Sequence, residues 1–313
     1  MRADVSQAAV LAVTASGLLF AQDTTPAIRV DVSLVNVAFA ARDARGQIVT
    51  DLTRDEIEVF EDGVVQPVRF FSQSSDLPLR FALIVDVSDS QSSFNRKHRL
   101  DVETFAKSAL GPADKALLVC FGNQILSGSD FTSSSRDLLR GLDTIVKSHS
   151  ALYPDVTPNG IRNHGTAFFD AVYQTARTKM MEPGARKALV VFSDGEDNSS
   201  AYDIIEAIEA AQAADAPVYT VHYSDTTHIS PHTRQRYGKI EMSRLAEETG
   251  GIAYDSTTNV AKALAEVSSE LRSLYELGYS PTNAARDGSY RKIELRSKRP
   301  GIVIRARRGY YSR

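Results

Sequence analysis

The sequence predicts an α/β protein with a doubly wound, mostly parallel sheet, helices on both faces, and a small antiparallel β domain beside it. From Leu79 onward, apolar strand-like runs alternate with helical patterns. Those strand-like runs are continuously apolar, as expected when helices cover both faces of a parallel sheet. Near both chain ends the segments instead alternate apolar and polar residues with period two, which is typical of antiparallel strands.

The predicted elements of the α/β region follow one another in a regular order. In chain order they are the strand RFALIVDV, a helix to about Ala109, the strand KALLVCF, an edge segment near QILSGSDF, a helix around SRDLLRGLDTIV, a helix from Ala167, the strand KALVVFS, a helix from Tyr202, the strand APVYTVHY, a helix near IEMSRLAEETG, the strand IAYDS and a helix from Val260. This alternation predicts a doubly wound sheet over residues 79–274.

The outer segments predict one β domain built from both chain ends. They are IRVDVSLVNVAFAARD, EIEVFEDGVVQPVRFF, YELGYSP, SYRKIELRSK and IVIRARRGYYS, with turns at ARGQ, EDG, ARDG and RPG. Neither the two N-terminal strands nor the three C-terminal strands suffice for an independent domain. We therefore predict a β domain formed by residues 28–75 and 275–313, with the α/β region inserted between them.

Composition and charge limit the function classes. The chain has 313 residues, 42% of them apolar, and a net charge of -3, so it can bury a full core. Ten Lys/Arg against two Asp/Glu fall within residues 286–313. We interpret these as cross-strand partners of acidic residues rather than as a nucleic-acid surface. The basic positions are Lys292, Arg296, Lys298, Arg305 and Arg307, and the acidic ones are Glu56, Glu58 and Asp62.

The N-terminus predicts export. An apolar stretch from Ala8 to Ala21 precedes polar Gln22, so residues 1–21 are interpreted as a cleaved signal peptide. The expected location is the periplasm, the cell envelope or the extracellular space, with no transmembrane segment in the mature chain. The single Cys120 lies in the apolar run KALLVCFG, which predicts a buried, inert thiol.

Polar side chains cluster where predicted core strands end. Asp86, Ser88 and Ser90 follow the first core strand in LIVDVSDSQSSF, and Asp194 follows the strand KALVVFS. Thr166 precedes a helix in HGTAFFDA. Because ligands of open α/β sheets bind beyond the carboxyl ends of strands, we expect all five at one edge. The alternative is that the hydroxyls cap helices and the carboxylates cap or form turns.

These residues resemble the metal-ion-dependent adhesion site of von Willebrand factor A domains: D-x-S-x-S at Asp86 to Ser90, Gly-Thr at Thr166, and Asp-Gly at Asp194. The segments DVSLVNVAF, FEDGVVQPVRFF, LGYSP and KRPGIVIRARRGYY further resemble exported VWFA-related proteins typical of acidobacteria. The likeness covers nearly the whole mature chain.

The resemblance implies a bound divalent cation, Mg²⁺ in the first place with Ca²⁺ or Mn²⁺ as alternatives. It implies that Ser88, Ser90 and Thr166 contact the ion, while Asp86 and Asp194 act through water or hold the hydroxyls. Such an ion takes a Glu or Asp carboxylate from a partner protein, or an acidic group of a polysaccharide. The expected function is therefore metal-dependent binding or adhesion without turnover.

Two other function classes were compared with this one. A metal-dependent phosphatase with Asp86 as nucleophile needs a second acid two residues on, where this chain has Ser88. No Gly-x-Ser-x-Gly supports a serine hydrolase. A scaffold that binds mainly through its β domain stays open, and metal dependence of partner binding would separate it from the adhesion interpretation.

The remaining polar residues near the site have structural interpretations. Ser200 with Asp203 predicts a capping box for the following helix. A solvated loop or cap position is predicted for Asp89, and Glu196 and Asp197 are predicted to be solvated. Four histidines lack helical metal-ligand spacing, which disfavours a zinc site: His164, His222, His228 and His232.

Overall fold

A computed structural model describes residues 34–73, 77–152, 165–224, 232–257 and 259–313, with the backbone alone at 149–152 and 232–235. The predicted signal peptide over residues 1–21 and the start of the first outer strand lie outside these ranges. In chain order the strands are β1 Val35–Arg42, β2 Ile57–Glu61, β3 Val64–Gln66, β4 Val68–Gln73, β5 Leu79–Asp86, β6 Lys115–Phe121, β7 Ile125–Thr132, β8 Arg186–Ser193, β9 Val218–His222, β10 Ala253–Asp255, β11 Tyr275–Tyr279, β12 Tyr290–Ser297, β13 Val303–Ala306 and β14 Gly309–Tyr311. The helices are α1 Asn95–Ser108, α2 Ser135–Leu152, α3 Phe168–Lys179, α4 Ile204–Ala213, α5 His232–Thr249 and α6 Val260–Arg272.

The central sheet has the strand order β10-β9-β8-β5-β6-β7, and all its pairs are parallel except β6 with the edge strand β7. Successive side chains of a strand point to opposite faces. In β5, Phe81 and Leu83 thus join the core beneath α1, α2 and α6, while Ala82 and Ile84 join the core beneath α3, α4 and α5. The predicted mixed α/β architecture, with a mainly parallel sheet between helices, is confirmed.

The outer strands form two antiparallel sheets, with orders β13-β1-β11-β4 and β14-β12-β2-β3. Strands from the two chain ends pair directly: Val37 of β1 lies opposite Leu277 of β11, and Val59 of β2 lies opposite Leu295 of β12. The two sheets share one apolar core, so we call them the sandwich. The division into ranges 28–75, 79–274 and 275–313 stays a prediction.

The predicted number of outer strands is wrong. The segment EIEVFEDGVVQPVRFF contains β2, β3 and β4, because Asp62 (φ 48°) and Gly63 (φ 81°) form a tight hairpin turn and Pro67 separates β3 from β4. The segment IVIRARRGYYS likewise contains both β13 and β14. Each chain end therefore contributes four described strands, which is enough for two sheets.

The predicted capping box at Ser200 and Asp203 is also wrong. Helix α4 is capped by Asp203, whose carboxylate accepts from Glu206 N at 3.0 Å while the Glu206 carboxylate accepts from Asp203 N at 3.0 Å. The box is thus Asp203 with Glu206. The Ser200 hydroxyl instead donates to Asp197 and accepts from Asp170 N.

A buried ionic cluster joins the sandwich to the central sheet. Glu270 of α6 is 1% exposed, and its carboxylate accepts from Arg42 of β1 at 2.9 Å, from Arg305 of β13, and from the Tyr219 hydroxyl of β9 at 3.0 Å. Two partly exposed guanidinium groups thus pair with one buried carboxylate. The cluster fixes α6 between two sandwich strands and the central sheet.

Two smaller observations concern the predicted thiol and membrane spans. Cys120 is buried in β6, as predicted, and burial raises the pKa of its thiol. Within the described ranges, the helices are too short or too polar for a bilayer crossing.

The topology leaves a crevice at the carboxyl edge of the central sheet. Helix α1 follows β5 on one face, whereas α4 follows β8, the neighbour of β5, on the opposite face. Connections that diverge in this way open a gap between the two strand ends. Asp86 ends β5 and Asp194 directly follows β8, so both carboxylates stand at this gap.

Candidate metal centre

The Asp86 carboxylate is fully buried and held by two neutral donors. Its Oδ1 accepts from the backbone N of Ser88 at 2.9 Å, and its Oδ2 accepts from the Ser193 hydroxyl at 2.6 Å. Ser193 in turn accepts from Gly195 N at 3.0 Å, which fixes the turn after β8. The side chain is 0% exposed. Asp86 therefore joins the two strand ends rather than facing solvent.

The Asp194 carboxylate accepts three hydrogen bonds. Glu196 N donates to Oδ1 at 3.0 Å, and Oδ2 accepts from the Ser90 hydroxyl at 2.7 Å and from Gln91 Nε2 at 2.9 Å. Asp194 is 5% exposed, whereas Ser90 reaches the surface. The carboxylate at the end of β8 thus holds the segment that follows β5.

The Ser88 and Ser90 hydroxyls lie side by side at the mouth of the crevice, with Oγ atoms 3.2 Å apart. Ser88 precedes the short 3-10 segment Asp89–Phe94, but its hydroxyl makes no capping hydrogen bond there. The alternative interpretation of Ser88 as a helix cap therefore lacks its defining contact. Both hydroxyls keep oxygen lone pairs available.

Thr166 reaches the same edge through its backbone. Its N donates to Asn198 Oδ1 at 2.8 Å and its O accepts from Asn198 N at 3.1 Å, which fastens it to the loop after Asp194. The next residue, Ala167, donates to the O of Gly122 just beyond β6 and is itself the N-cap of α3. In the part of the chain that the structure describes, no hydrogen bond uses the Thr166 hydroxyl.

The structure thus brings four of the five predicted residues into one hydrogen-bonded group: Asp86, Ser88, Ser90 and Asp194. Thr166 is 6% exposed and is anchored on the loops that flank this group. Among the described residues, no hydrogen bond joins its side chain to the other four. The role of all five as metal ligands or ligand supports stays a prediction.

The centre carries negative charge without a neutralising side chain. No described lysine or arginine forms an ion pair with Asp86 or Asp194. Burial, followed by the neighbouring Asp194 charge, raises the pKa of the Asp86 carboxyl. A cation placed here would relieve the repulsion between the two carboxylates.

The available donors fit a hard divalent cation. They are hydroxyl and carboxylate oxygens, which suit Mg²⁺ or Ca²⁺. Over the described ranges, no three His, Cys, Asp or Glu side chains approach closely enough to hold a metal on their own. A site in this crevice would therefore depend on the serine and threonine hydroxyls.

Three supporting residues were not predicted: Gln91, Ser193 and Asn198. Ser193 ends an apolar strand immediately before Asp194. Its role in supporting the site could have been inferred from that position. Gln91 is 1% exposed, but it lies in a polar run, and nothing in that local pattern indicates burial.

The prediction that Asp197 is merely solvated is wrong. Asp197 Oδ2 accepts from Phe169 N at 3.1 Å and from the Ser200 hydroxyl, and so fastens the loop after Asp194 to the start of α3. Of the four histidines considered, only the ring of His222 lies within the described side chains, and it is buried at the end of β9. The prediction against a zinc site stays a prediction.

Comparisons with known proteins found no matching family model and no matching curated protein. Among solved structures, the chain is similar to an aerotolerance-related membrane protein from Bacteroides fragilis, with 17% identity, 62% of this chain and 98% of that chain covered, and a TM-score of 0.45. It is also similar to the conserved hypothetical protein BatB from Bacteroides thetaiotaomicron, with 17% identity, 62% and 97% covered, and a TM-score of 0.45.

A third similar structure is proximal thread matrix protein 1 from the mussel byssus, described with a zinc-occupied MIDAS motif. The two sequences are 15% identical, the TM-score is 0.46, and the alignment covers 66% of this chain and 48% of that chain. Because all three TM-scores lie below 0.5, the interpretation of the site rests on its own geometry.

Proposed function

We propose that this chain is an exported von Willebrand factor A-like binding protein that holds a divalent cation in the crevice and captures a carboxylate of a partner. Ser88, Ser90 and Thr166 would hold the ion, with Asp86 and Asp194 as charged supports. A bound cation would supply an electron-poor position for an oxygen of the partner. Mg²⁺ is the proposed ion, and Ca²⁺ or Mn²⁺ have the same preference for oxygen.

The observation that carries this proposal is the hydrogen bond from Ser90 to Asp194. The Ser90 hydroxyl has one proton, and it donates that proton to Asp194 Oδ2 at 2.7 Å. The Ser88 hydroxyl, 3.2 Å away, is then the donor in the hydrogen bond between the two serines, and each serine oxygen keeps at least one lone pair for a cation. A hydroxyl whose proton faces a buried carboxylate is oriented to present oxygen to a cation.

The burial of Asp86 supports binding without turnover. A nucleophilic carboxylate must reach its substrate, but Asp86 is 0% exposed and both of its oxygens accept hydrogen bonds. The residue two positions on is Ser88, which cannot serve as a general acid at neutral pH. These features favour capture of a partner over phosphoester cleavage.

The partner that fits an open position on such a cation is a protein with an accessible Asp or Glu carboxylate, and an acidic polysaccharide offers the same chemistry. Export is proposed from the apolar stretch between Ala8 and Ala21, which lies outside the described residues. The location would be the periplasm, the cell envelope or the extracellular space.

Removing single hydroxyls tests the proposal. Calorimetry should detect one Mg²⁺ site in the wild type, and Ser88→Ala or Thr166→Ala should weaken it at least about tenfold, because each removes an oxygen donor. Capture of the protein on immobilised poly-L-glutamate should require Mg²⁺, disappear in chelator and fall in parallel in both variants. Each substitution should cost the fold at most roughly 1 to 2 kcal/mol.

Matched controls remove hydroxyls elsewhere. Ser108→Ala and Thr178→Ala each delete an exposed hydroxyl that donates to a helix carbonyl, at 2.7 Å in both cases. Both should bind Mg²⁺ and poly-L-glutamate like the wild type. If Ser88→Ala and Thr166→Ala fold normally and also match the wild type, the hydroxyls are not ligands and the proposal is wrong.

A further inference from the structure

Gln91 is a buried polar residue beside the candidate metal centre that the adhesion-type motif does not include. Its side chain is 1% exposed, and its amide Nε2 donates to Asp194 Oδ2 at 2.9 Å. A longer contact of 3.5 Å joins Nε2 to the O of Tyr223. The amide thus reaches the same carboxylate oxygen as the Ser90 hydroxyl.

The other end of this amide has no partner. Gln91 Oε1 is buried, and among the described residues no donor reaches it. An unpaired buried oxygen destabilises a fold, and a leucine or methionine would fill similar volume without one. Because Asp194 can only accept, the amide must present its NH₂ group there and leave Oε1 unsatisfied. The arrangement indicates that the contribution of Gln91 is its hydrogen bond to Asp194.

The two donors on Oδ2 decide what Asp194 can do. The Ser90 proton and the Gln91 NH₂ group are both directed at Oδ2 and occupy its two lone pairs with neutral donors, while Oδ1 accepts from Glu196 N. An oxygen engaged in this way is held back from direct contact with a cation. The cation would then keep only neutral hydroxyl ligands and remain attractive to an external carboxylate.

We infer that Gln91 is a positioning residue that keeps Asp194 in an indirect, supporting role and thereby reserves the cation for a partner carboxylate. The inference rests on the proposed function. It assigns Gln91 opposite effects on two affinities: the amide weakens binding of the cation itself and strengthens the capture of a carboxylate by the loaded site.

Replacing Gln91 by methionine tests this assignment. Gln91→Met keeps the volume but removes the donor, so the acceptor position of Asp194 Oδ2 that Gln91 occupied becomes available to the cation, while Ser90 still donates to the other. Calorimetry with Mn²⁺ should show affinity about tenfold higher than in the wild type, and capture on poly-L-glutamate at saturating Mn²⁺ should weaken about tenfold. Water-proton relaxation should report fewer exchangeable waters on the bound Mn²⁺, because a carboxylate oxygen has replaced one.

Gln212 offers a matched control. It is a buried glutamine, 8% exposed, whose Nε2 donates to the O of Glu248 at 2.9 Å, away from the metal centre. Gln212→Met should lower stability without changing either affinity. In an Asp194→Asn background, Gln91→Met should no longer raise Mn²⁺ affinity, because the carboxylate on which it acts is gone.

The outcomes separate this inference from the proposed function. Wild type that binds no Mn²⁺ would overturn both. Wild type that binds Mn²⁺ and poly-L-glutamate, with Gln91→Met unchanged or weakened in both, would overturn only the role of Gln91. Should Gln91→Met lose the wild-type circular dichroism spectrum, Gln91→Leu fills similar volume and also lacks the donor without adding a charge, and it must show the same opposite changes.

Discussion

Two buried carboxylate clusters of this protein handle their charge in different ways. Glu270, 1% exposed, accepts from the guanidinium groups of Arg42 and Arg305, which the sandwich supplies. Asp86 and Asp194, 0% and 5% exposed, accept only from hydroxyl, amide and backbone donors. The first cluster contains two basic side chains, whereas the described part of the chain supplies none to the second.

The difference separates a carboxylate that is paired within the fold from two carboxylates that have no described basic partner. Buried charges are costly unless they are paired, so a fold that needs a carboxylate only for stability pairs it internally. At Glu270 that pairing also joins the sandwich to the central sheet. At Asp86 and Asp194 the donors fix the geometry but leave the charge unbalanced, which is the arrangement expected where an external cation binds.

Removing the paired carboxylate should have the largest effect on stability. Glu270→Ala leaves the Arg42 and Arg305 charges without their buried partner and should lower the free energy of unfolding by about 3 to 5 kcal/mol. Urea unfolding followed by circular dichroism measures the loss. On the same helix, Glu266→Ala removes an exposed carboxylate 3.9 Å from Lys262 and should cost less than about 1 kcal/mol. Equal losses in the two variants would contradict the structural role of the cluster.

A third buried ionisable group is neutral in the folded protein and so avoids the cost of an unpaired buried charge. His98 of α1 is 0% exposed in an aromatic surround of Phe94, Phe192 and Tyr223, and burial, with a smaller effect of Lys97, lowers its pKa to about 3. Asp101 of the same helix accepts from the hydroxyl of Tyr223. Among the described residues, neither ring nitrogen of His98 has a hydrogen-bond partner, so no described acceptor would stabilise its protonated form directly.

Acid should consequently act on stability through His98. The pKa of His98 is 6.5 in the unfolded chain and about 3 in the folded protein. Between these two pH values, His98 is protonated in the unfolded chain and neutral in the folded protein. Stability is then fully present above this window and falls with decreasing pH, by up to about 1.4 kcal/mol per pH unit from this group. His98→Phe should remove that component. Urea midpoints measured from neutral to acidic pH for both proteins give the difference, and parallel curves would show that His98 plays no part.

The smallest stability effect is expected at the unpaired centre. Asp86→Asn keeps an acceptor for Ser88 N and places an NH₂ group toward the Ser193 oxygen, while it removes the repulsion with Asp194. In chelator, the unfolding free energy should change by no more than about 1 kcal/mol, toward higher stability. Added Mg²⁺ should raise the melting temperature of the wild type and not of the variant. A large loss of stability in chelator would place Asp86 with Glu270 as a structural carboxylate.

The strand ends and the positions of Asp86 and Asp194 were predictable because they depend on local patterns. An apolar run that ends in a carboxylate marks the carboxyl end of a buried parallel strand, and the topology of such sheets brings these ends together. The same reasoning predicted that Ser88, Ser90 and Thr166 lie at this edge of the sheet. Each of these residues follows or precedes an element with strong periodicity.

The features that were not predicted depend on contacts distant in sequence. Gln91 donates across 103 positions to Asp194, and Ser193 donates across 107 positions to Asp86. Contacts between residues so far apart in the sequence leave no pattern in either local segment. The number of sandwich strands was misjudged because short strands such as β3 and β14, three residues each, are too brief to show periodicity.

The pairing of β4 with β11 has a mechanical consequence. The chain leaves the sandwich after Gln73 and returns at Tyr275, and these two residues lie opposite each other. A pull applied between Leu34 and Arg313 therefore meets the antiparallel ladders of the sandwich first, because those ladders link the two chain ends directly. The chain enters and leaves the central sheet through these two adjacent residues, so the sheet lies outside the path of tension along the chain until the ladders shear. The crevice proposed to bind the cation would keep its shape while the strands of the sandwich bear the load.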